Sequence, residues 1–255
     1  MSRRTAKQLT YGVFYLAFWA VVISAVYFLF LRPEPSCFDG KHNQNEEGID
    51  CGGPCAQSCL PAGLEPLEVV GRILTFRPSP DRLSILAQVS NPNFDQAAKS
   101  FTYDFLLYGA GDEVVQSFRG TSFAYAREAK YILLPNASLP ARPFSRVGLE
   151  LGDFEWVPGD EMGRRPSISL SGIATEIEEN SLRVEGRVLN ADTVSFPKVT
   201  ILAIFWGELG NIAGASETEI NNLRPNESSA FTVIHPSIPN VDTSKTKVFV
   251  YAQRP

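Results

Sequence analysis

Apolar and polar residues alternate along much of the chain after residue 66. LSILAQVSN (residues 83–91) and LRVEGRVLN (residues 182–190) place apolar residues or glycine at every second position, and both end on Asn. Because successive side chains of a strand point to opposite faces of a sheet, this pattern predicts a half-buried β-strand in each segment. The two segments lie 99 residues apart, which indicates a repeat.

The same spacing continues into the next segments. FTYDFLLYGAGD (residues 101–112) aligns with TILAIFWGELGN (residues 200–211). Tyr103 then corresponds to Leu202, Phe105 to Ile204 and Leu107 to Trp206. We therefore predict a second repeated strand, followed by a turn. The following aromatic residues are expected in the cores: Phe101, Tyr103, Phe105, Trp206 and Phe231.

The later segments align at other spacings. LLPNAS (residues 133–138) resembles LRPNES (residues 223–228) at a spacing of 90, which predicts about nine extra residues in the first copy, around SFAYAREAK. Aromatic side chains in and beside this extra loop are candidates for a contact surface, although they could instead cover the edge of a sheet. These candidates are Phe118, Phe123, Tyr125 and Tyr131.

The repeat defines two domains, at residues 67–157 and 168–255, joined by the polar linker PGDEMGRRPS. Short alternating segments separated by Gly, Pro and Asn are typical of antiparallel β-sandwiches of the immunoglobulin-like type. Neither domain contains a cysteine, so no disulfide can join the sheets. The predicted fold class is therefore mainly β, with two tandem sandwiches.

Residues 11–31 form a run of 21 residues without a charged side chain. As a helix this run spans roughly the 30 Å of a bilayer core, so it predicts a transmembrane helix. The alternative is a cleaved signal peptide, but LFLRPEP follows in place of a small-residue cleavage site. Arg3, Arg4 and Lys7 precede the run, which places residues 1–10 in the cytoplasm and the later domains outside the cell membrane.

The segment at residues 37–59 contains all four cysteines, namely Cys37, Cys51, Cys55 and Cys59. Outside the cytoplasm, a short segment with four cysteines is most simply explained by two disulfides. Three pairings are open, and the sequence does not choose among them. Their spacing lacks the paired C-x-x-C steps of common zinc sites, which leaves zinc as a less favoured alternative.

Oxygen-bearing side chains lie between the first two cysteines. Asp39, Asn43, Glu46 and Asp50 are ligands of the type that calcium prefers. The segment does not fit an EF-hand loop, because Lys41 occupies its third position when the loop starts at Asp39. The alternative is that these residues form turns and that their charges are solvated. Both interpretations stay open.

The cysteine segment resembles a short module found in many secreted or membrane-anchored bacterial and archaeal proteins. Its approximate pattern is C-x-D-G-x-x-N-x-x-E-x-G-x-D-C-G-G-x-C-x-x-C, and the last interval here is one residue longer. The matching residues are Cys37, Asp39, Gly40, Asn43, Glu46, Gly48, Asp50, Cys51, Gly52, Gly53 and Cys55. The resemblance implies an extracytoplasmic, disulfide-bonded module, and it implies no reaction.

The two domains resemble the FxLYD and late-embryogenesis-abundant-like β-sandwich domains. FLLY (residues 105–108) matches the naming motif of that family except that Gly109 replaces its Asp, and LRPNE (residues 223–227) with Phe231 matches a later segment. The second copy departs from the motif at Ile204 and Gly207. The resemblance implies a β-sandwich fold and an extracytoplasmic accessory role without catalytic residues.

Charge and composition argue against two classes of function, nucleic-acid binding and catalysis. The net charge is −5, and residues 1–32 carry four basic residues and no acid, so the remaining chain is more acidic still. An acidic surface argues against nucleic acid as a partner. The chain has two histidines and lacks a recognisable catalytic motif, so we do not expect an enzyme.

The predicted function is that of a single-pass membrane protein whose outer domains act as a non-catalytic binding or envelope-assembly module. Its expected partners are the lipid bilayer and another envelope protein or a surface polymer. One alternative is a calcium-binding structural module at the cell surface, and a further alternative is an accessory subunit of an enzyme. No cofactor is expected, apart from calcium in that first alternative.

Overall fold

The computed structural model describes residues 3–27, 36–37, 39–55, 59 and 63–255. Over these residues the protein is mainly β, with twelve strands and two helices. The chain divides into two compact units, Met1–Cys59 and Leu60–Pro255. The expected mainly-β fold with a small disulfide-bonded segment is confirmed.

The first unit contains helix α1 (Arg3–Val26) and the cysteine segment. Helix α1 covers most of the predicted membrane-spanning run, and residues 28–31 of that run lie outside the described residues. Among the described residues, no helix is both long and apolar enough to cross a membrane. Many apolar side chains of α1 are exposed, among them Phe14 (68%), Leu16 (70%) and Val21 (68%).

Six antiparallel strands form the first domain of the second unit. They pair into two three-stranded sheets with the orders β1-β2-β5 and β4-β3-β6. The strands are β1 (Glu68–Ser79), β2 (Arg82–Ser90), β3 (Gln96–Tyr108), β4 (Val114–Ala124), β5 (Ala129–Ser138) and β6 (Arg146–Pro158).

The second domain repeats this arrangement after the short helix α2 (Gly159–Met162). Its sheets have the orders β7-β8-β11 and β10-β9-β12, so each strand has a counterpart six strands earlier. The strands are β7 (Ile168–Ile177), β8 (Ser181–Asn190), β9 (Phe196–Gly207), β10 (Ile212–Leu223), β11 (Ser228–Pro236) and β12 (Val241–Ala252).

Each domain has its own apolar core between its two sheets. In the first domain, Ile85 of β2 packs with Phe101 and Phe105 of β3, and all three are at most 1% exposed. In the second domain, Val184 of β8 packs with Phe205 of β9, and both are fully buried. Two facing sheets with a shared core are the arrangement of a β-sandwich.

The two sandwiches pack against each other through a third apolar cluster. It joins the outer face of β1-β2-β5 to the outer face of β10-β9-β12, and its buried members are Leu86, Leu133, Leu202, Ile204 and Ala215. Because burial of this surface links the domains, residues 60–255 behave as one compact unit.

Hydrogen bonds reinforce this interface at the end of β12. The N–H of Tyr131 donates to Oη of Tyr251 at 3.0 Å. Oη of Tyr125 donates to the carbonyl of Ala252 at 3.3 Å and accepts from the N–H of Arg254 at 3.0 Å. The first sandwich thereby holds the last strand of the second.

The interface corrects the prediction that both alternating segments are half-buried strands. Strand β8 fits the prediction, because Leu182 and Val184 are fully buried while Glu185 is exposed. Strand β2 does not, because the outward Ser84 and Leu86 are only 2% and 1% exposed. The second sandwich covers the face that the alternation assigned to solvent.

The spacing of 99 between the second strands of the two copies is also wrong. Gly109 donates its N–H to the carbonyl of Glu113, and Gly207 donates its N–H to the carbonyl of Asn211, so these turns correspond at a spacing of 98. A slip of one residue exchanges the two faces of a strand. Trp206 therefore lies at the interface between the sandwiches and not in the second core.

The predicted extra loop around SFAYAREAK is absent from the first sandwich. Residues 125–128 form a tight turn between β4 and β5, in which the Glu128 carboxylate accepts the N–H of Tyr125 at 2.8 Å. Glu227 does the same for the N–H of Arg224, also at 2.8 Å. AYARE is thus the counterpart of LRPNE, and residues 133–138 belong to strand β5.

Asn91 and Asn190, which end the two repeated strands, anchor the adjoining loops. Nδ2 of Asn91 donates to the carbonyls of Gln96 and Tyr125 at 2.8 and 3.0 Å, and Nδ2 of Asn190 donates to the carbonyls of Val194 and Leu223 at 2.9 and 3.2 Å. The two side chains are at most 1% exposed.

Replacing Asn91 or Asn190 with Ala is expected to lower the free energy of unfolding by about 2 kcal/mol each, because buried carbonyls lose their donors. Urea denaturation of the full chain in detergent measures this change. Asn221→Ala, at an exposed position, serves as the control. A loss no larger than that of the control would contradict the assigned role of the two Asn side chains.

Candidate binding cleft between the two sandwiches

The prediction of two disulfides is confirmed. One disulfide joins Cys37 to Cys55 and the other joins Cys51 to Cys59. This is one of the three pairings that the sequence left open. With all four cysteines bonded, no thiol is free to bind a metal.

The predicted calcium ligands belong to a hydrogen-bonded network in the cysteine segment. The carboxylate of Asp50 accepts the N–H groups of Asp39 and Gly40 at 3.0 and 2.8 Å. Oε2 of Glu46 accepts the N–H groups of Asn43 and Asp50 at 3.3 and 3.2 Å. The carboxylates thus stabilise the backbone of the segment. The turn interpretation expected solvated charges, but Glu46 is only 5% exposed.

One side-chain oxygen of this network, Oδ1 of Asn43, accepts no hydrogen bond from the described residues. Asn43 donates its Nδ2 to Asp39 at 3.0 Å, which lowers the pKa of the Asp39 carboxyl. Oδ1 of Asn43 is buried and has no hydrogen-bond partner among the described residues. In the part of the chain that the structure describes, three ligand atoms from His, Cys, Asp or Glu side chains come together only at Cys37, Glu46 and Cys55, and the two cysteines there are bonded to each other. Calcium binding stays a prediction.

The four aromatic residues predicted as a contact surface lie on or between strands. Tyr125 is 3% exposed and packs beside Phe123 at a ring-centroid distance of 5.8 Å. Phe118 packs against the first core, and Tyr131 packs in the cluster between the sandwiches. Their placement assigns them to packing, with two of them, Phe123 and Tyr131, also lining a cleft.

His235 lies in the second sandwich, away from this cleft. Its Nδ1 donates to the carbonyl of Pro236 at 2.6 Å, its ring packs on Phe205, and Nε2 is buried without a partner among the described residues. Burial lowers the pKa of His235.

A lowered pKa of His235 has a defined effect on stability. The unfolded chain binds a proton at His235 below pH 6.5, whereas the folded protein binds it only at lower pH. The contribution of neutral His235 to the free energy of unfolding is therefore fully present above pH 6.5 and decreases as the pH falls below 6.5. We expect His235→Leu to lose less stability than the wild type between pH 6.5 and 5 in urea denaturation. Equal losses would show that His235 does not titrate in this way.

A cleft of about 500 Å³ lies between the two sandwiches. One wall comes from β3, β4 and β5 of the first sandwich, and the other from β9, β10, β12 and residues 253–255 of the second. This volume is in the range of sites that bind small molecules. Polar and aromatic side chains both line it, among them Tyr103, Phe123, Lys130, Glu217 and Tyr251.

Lys130 is the most unusual residue of the cleft, because it is charged and only 4% exposed. It lies on β5 two residues before the core residue Ile132, so its side chain points to the inner face of its sheet. Nζ donates to the carbonyl of Phe123 at 3.0 Å and lies 3.7 Å from the centroid of that ring. Burial lowers the pKa of Lys130 to about 8, although Glu128 and Glu217 act in the opposite direction.

Glu217 lies on the opposite wall, on strand β10. Burial raises the pKa of Glu217 to about 7, and the charge of Glu219 adds to this effect, while Lys198 and Lys130 oppose it. Burial also raises the pKa of Tyr103 and of Tyr251, so both phenols keep their protons. The acid on this wall is therefore close to half-protonated near neutral pH.

The other charged side chains of the cleft have partners. Lys198 pairs with Glu219 at 2.5 Å, and Lys99 pairs with Glu155 at 3.3 Å. Arg254 pairs with Asp192. Among the charged residues lining the cleft, all of which the structure describes, Lys130 and Glu217 alone form no ion pair. Strongly shifted ionisable groups in a cleft are characteristic of functional sites.

The alternating pattern contains a signal for Lys130. In AKYILLP (residues 129–135), Lys130 occupies the same inward parity as Ile132 and Leu134. Its counterpart in the second copy is Ser229, since Val89 pairs with Lys130 and Val188 pairs with Ser229. The misplaced loop hid this signal, because it removed residues 129 and 130 from any strand.

Comparisons with known proteins leave the family open. No protein-family profile and no curated protein matches the chain. Among solved structures, the chain is similar to the crystal structure of red sea bream transglutaminase, with 12% sequence identity over 72% of this chain. The matched part spans 31% of that protein, and the TM-score of 0.23 is too low for the likeness to support a fold or a function.

Proposed function

We propose that this protein is a single-pass, membrane-anchored extracytoplasmic binding module without catalytic activity, and that the cleft between its sandwiches is the binding site. The proposal rests on the environment of Lys130. This lysine is buried, it lines a cleft of about 500 Å³, and its ammonium forms one hydrogen bond with the described residues. An ammonium has three N–H donors, so two of them form no hydrogen bond with the described residues. Nζ also lies 3.7 Å from the ring centroid of Phe123 and 5.0 Å from that of Tyr251.

The energetic cost of Lys130 supports a functional role. A buried ammonium without an ion pair destabilises the folded protein, since the charged form is desolvated. Its counterpart Ser229 shows that the sandwich fold does not require a lysine at this position. Residues that reduce stability in this way are characteristic of sites retained for function.

Sequence and covalent structure support the proposed location. Residues 11–31 carry no charge, and a helix with exposed apolar side chains such as Phe14 and Leu16 is suited to a hydrocarbon environment. Two disulfides suit an oxidising compartment outside the cytoplasm. The repeated three-stranded sheets also support an immunoglobulin-like assignment for both sandwiches.

The proposed partners follow from this location. A domain pair anchored to the membrane can reach ligands presented by another envelope protein or by a surface polymer, and it can also assist an enzyme as an accessory subunit. In each of these roles the cleft is the site that binds the ligand. The acidic net charge continues to argue against nucleic acid.

The proposal is tested by the thermal stability of the full chain in detergent against a panel of small polar compounds. We expect compounds that raise the melting temperature of the wild type and of Lys245→Met but not of Lys130→Met. Lys245 is a matched control, because it lies outside the cleft and is 51% exposed. If compounds stabilise all three proteins equally, or stabilise none, the cleft is not the binding site.

A calcium-binding role of the cysteine segment is a second candidate, because the buried Oδ1 atom of Asn43 lacks a partner among the described residues. Calcium would accept this oxygen as a ligand. Limited proteolysis of the full chain with and without a calcium chelator tests it. Faster cleavage of residues 37–59 in chelator would support the calcium role, and unchanged cleavage would exclude it.

A further inference from the structure

We infer that the cleft recognises a carboxylate group, held between Lys130 on one wall and Glu217 on the other. The inference rests on the proposed function and adds the chemical class of the ligand. The carboxylate can belong to a small organic acid or to the free end of a peptide, since the two groups present the same pair of oxygens.

Lys130 supplies the positive half of the site. Its ammonium donates to the Phe123 carbonyl at 3.0 Å and forms no ion pair with a carboxylate of the described residues. Hydrogen bonds between charged groups are the strongest that a desolvated ammonium can make. A carboxylate oxygen therefore satisfies Lys130 better than a neutral acceptor does.

Glu217 supplies the second contact. It shares its face of β10 with Ala215, which lies in the cluster between the sandwiches, so its carboxyl group points toward the first sandwich. Protonated Glu217 has an O–H that can donate to the second oxygen of the ligand, whereas ionised Glu217 would repel it. A ligand that carries an ammonium would instead require ionised Glu217.

The walls of the cleft suit the remainder of such a ligand. The rings of Tyr103, Phe123 and Tyr131 line it together with Ile132, and the lining is of mixed polar and apolar character. Flat or branched apolar groups pack well on aromatic rings. The inference therefore favours acids that carry an aromatic or aliphatic group over small hydrophilic anions.

The surrounding charges determine the pH dependence. Lys99 and Tyr103 lie on β3, Lys130 lies on β5 after Glu128, and Lys198 lies on β9. The second wall contributes Glu217 and Glu219 on β10, Tyr251 on β12 and Arg254 paired with Asp192. Within this set, the pKa of Glu217 is about 7 and that of Lys130 is about 8.

Carboxylate binding then requires both groups to be protonated. Affinity is expected to rise as the pH falls from 8 to 6, by at most about tenfold per pH unit for each proton taken up. A ligand with an ammonium group would show the opposite trend, since it would displace the proton of Glu217.

Titration calorimetry on the full chain in detergent tests the inference with three matched probes, phenylacetate, phenylacetamide and phenethylamine. We expect phenylacetate to bind more tightly than the other two, more tightly at pH 6 than at pH 8, and at least about tenfold more weakly to Lys130→Met. Glu217→Gln keeps a neutral donor, so it should retain binding with a flatter pH profile.

A second calorimetric comparison, with peptides, distinguishes the two sources of the carboxylate. Gly-Gly-Phe with a free carboxylate is compared with the same peptide amidated at its end. Binding of the free peptide in place of phenylacetate would assign the carboxylate to a chain end, and binding of phenylacetate would assign it to a small acid.

Two outcomes would overturn the inference. Preferential binding of phenethylamine or phenylacetamide in a Lys130-dependent manner would refute carboxylate recognition while leaving the cleft as a binding site. Lack of binding by every probe, together with a panel that yields no Lys130-dependent compound, would refute the proposed function itself.

Discussion

Replacing Lys130 with Met is expected to stabilise the full chain at pH 7 by about 2 kcal/mol. A lysine whose pKa falls from 10.5 to about 8 on folding lowers the free energy of unfolding by about 3 kcal/mol, and loss of the hydrogen bond to the Phe123 carbonyl offsets about 1 kcal/mol of the gain. Urea denaturation of wild type and variant in detergent measures the difference.

The pH dependence of this effect has a definite sign. Between pH 8 and 10.5 the unfolded chain keeps the proton of Lys130 and the folded protein releases it, so wild-type stability rises with pH in this window. The advantage of Lys130→Met should therefore shrink across it. Lys245→Met should have an effect near zero at each pH. A variant that is less stable than the wild type at pH 7 would contradict a desolvated ammonium at Lys130.

Replacing Ile204 with Asp is expected to lower the free energy of unfolding by about 4 kcal/mol or more. Ile204 is fully buried in the apolar cluster between the sandwiches. A carboxylate at this position would be desolvated among apolar side chains without a hydrogen-bond donor. The same substitution should also abolish any Lys130-dependent ligand binding, because the two walls of the cleft are held together by this cluster. Urea denaturation and the thermal panel measure the two effects.

The repeat offers a matched control for this substitution. Leu106 corresponds to Ile204 at the spacing of 98 and lies half-buried on the sheet face that no other sandwich covers. Leu106→Asp is expected to cost about 1 kcal/mol, which is the typical cost of a point substitution. If both substitutions cost the same, the outer face of β9 is not the interface.

The pattern along the chain was sufficient to predict two β-sandwich-like domains and the two disulfides. Alternation at residues 83–91 and 182–190 is a local property, and it indicates strands whatever the partner is. Disulfides follow from four cysteines in a short segment. The pairing of Cys37 with Cys55 did not follow, because it depends on how the backbone between them folds.

The relation between the sandwiches could not be derived by aligning the copies. The loop after Asn190 is one residue shorter than the loop after Asn91, which changes the spacing from 99 to 98 and exchanges the faces of β9. A signal for the interface existed in Leu202, Ile204 and Trp206, since three large apolar side chains on a second face predict a covered strand. The wrong spacing assigned them to the core.

The cleft was missed for a related reason. Lys130 and Glu217 lie far apart in sequence, on different sandwiches, and they line one cleft only because the two sandwiches pack together. Neither residue belongs to a known motif, so spacing alone could not join them. Once strand β5 is assigned correctly, however, the sequence shows a lysine at an inward-facing position, which is unusual because lysine is rarely buried.

Ligand recognition by a desolvated Lys130 is tested most directly by a ¹³C NMR titration of the lysine Cε resonances in the full chain. The predicted result is one resonance that titrates near pH 8, disappears in Lys130→Met, and shifts its midpoint upward when phenylacetate is added, because a bound carboxylate favours the ammonium form. A spectrum in which no lysine titrates below pH 10, with or without phenylacetate, would contradict a desolvated Lys130 that binds an anionic ligand.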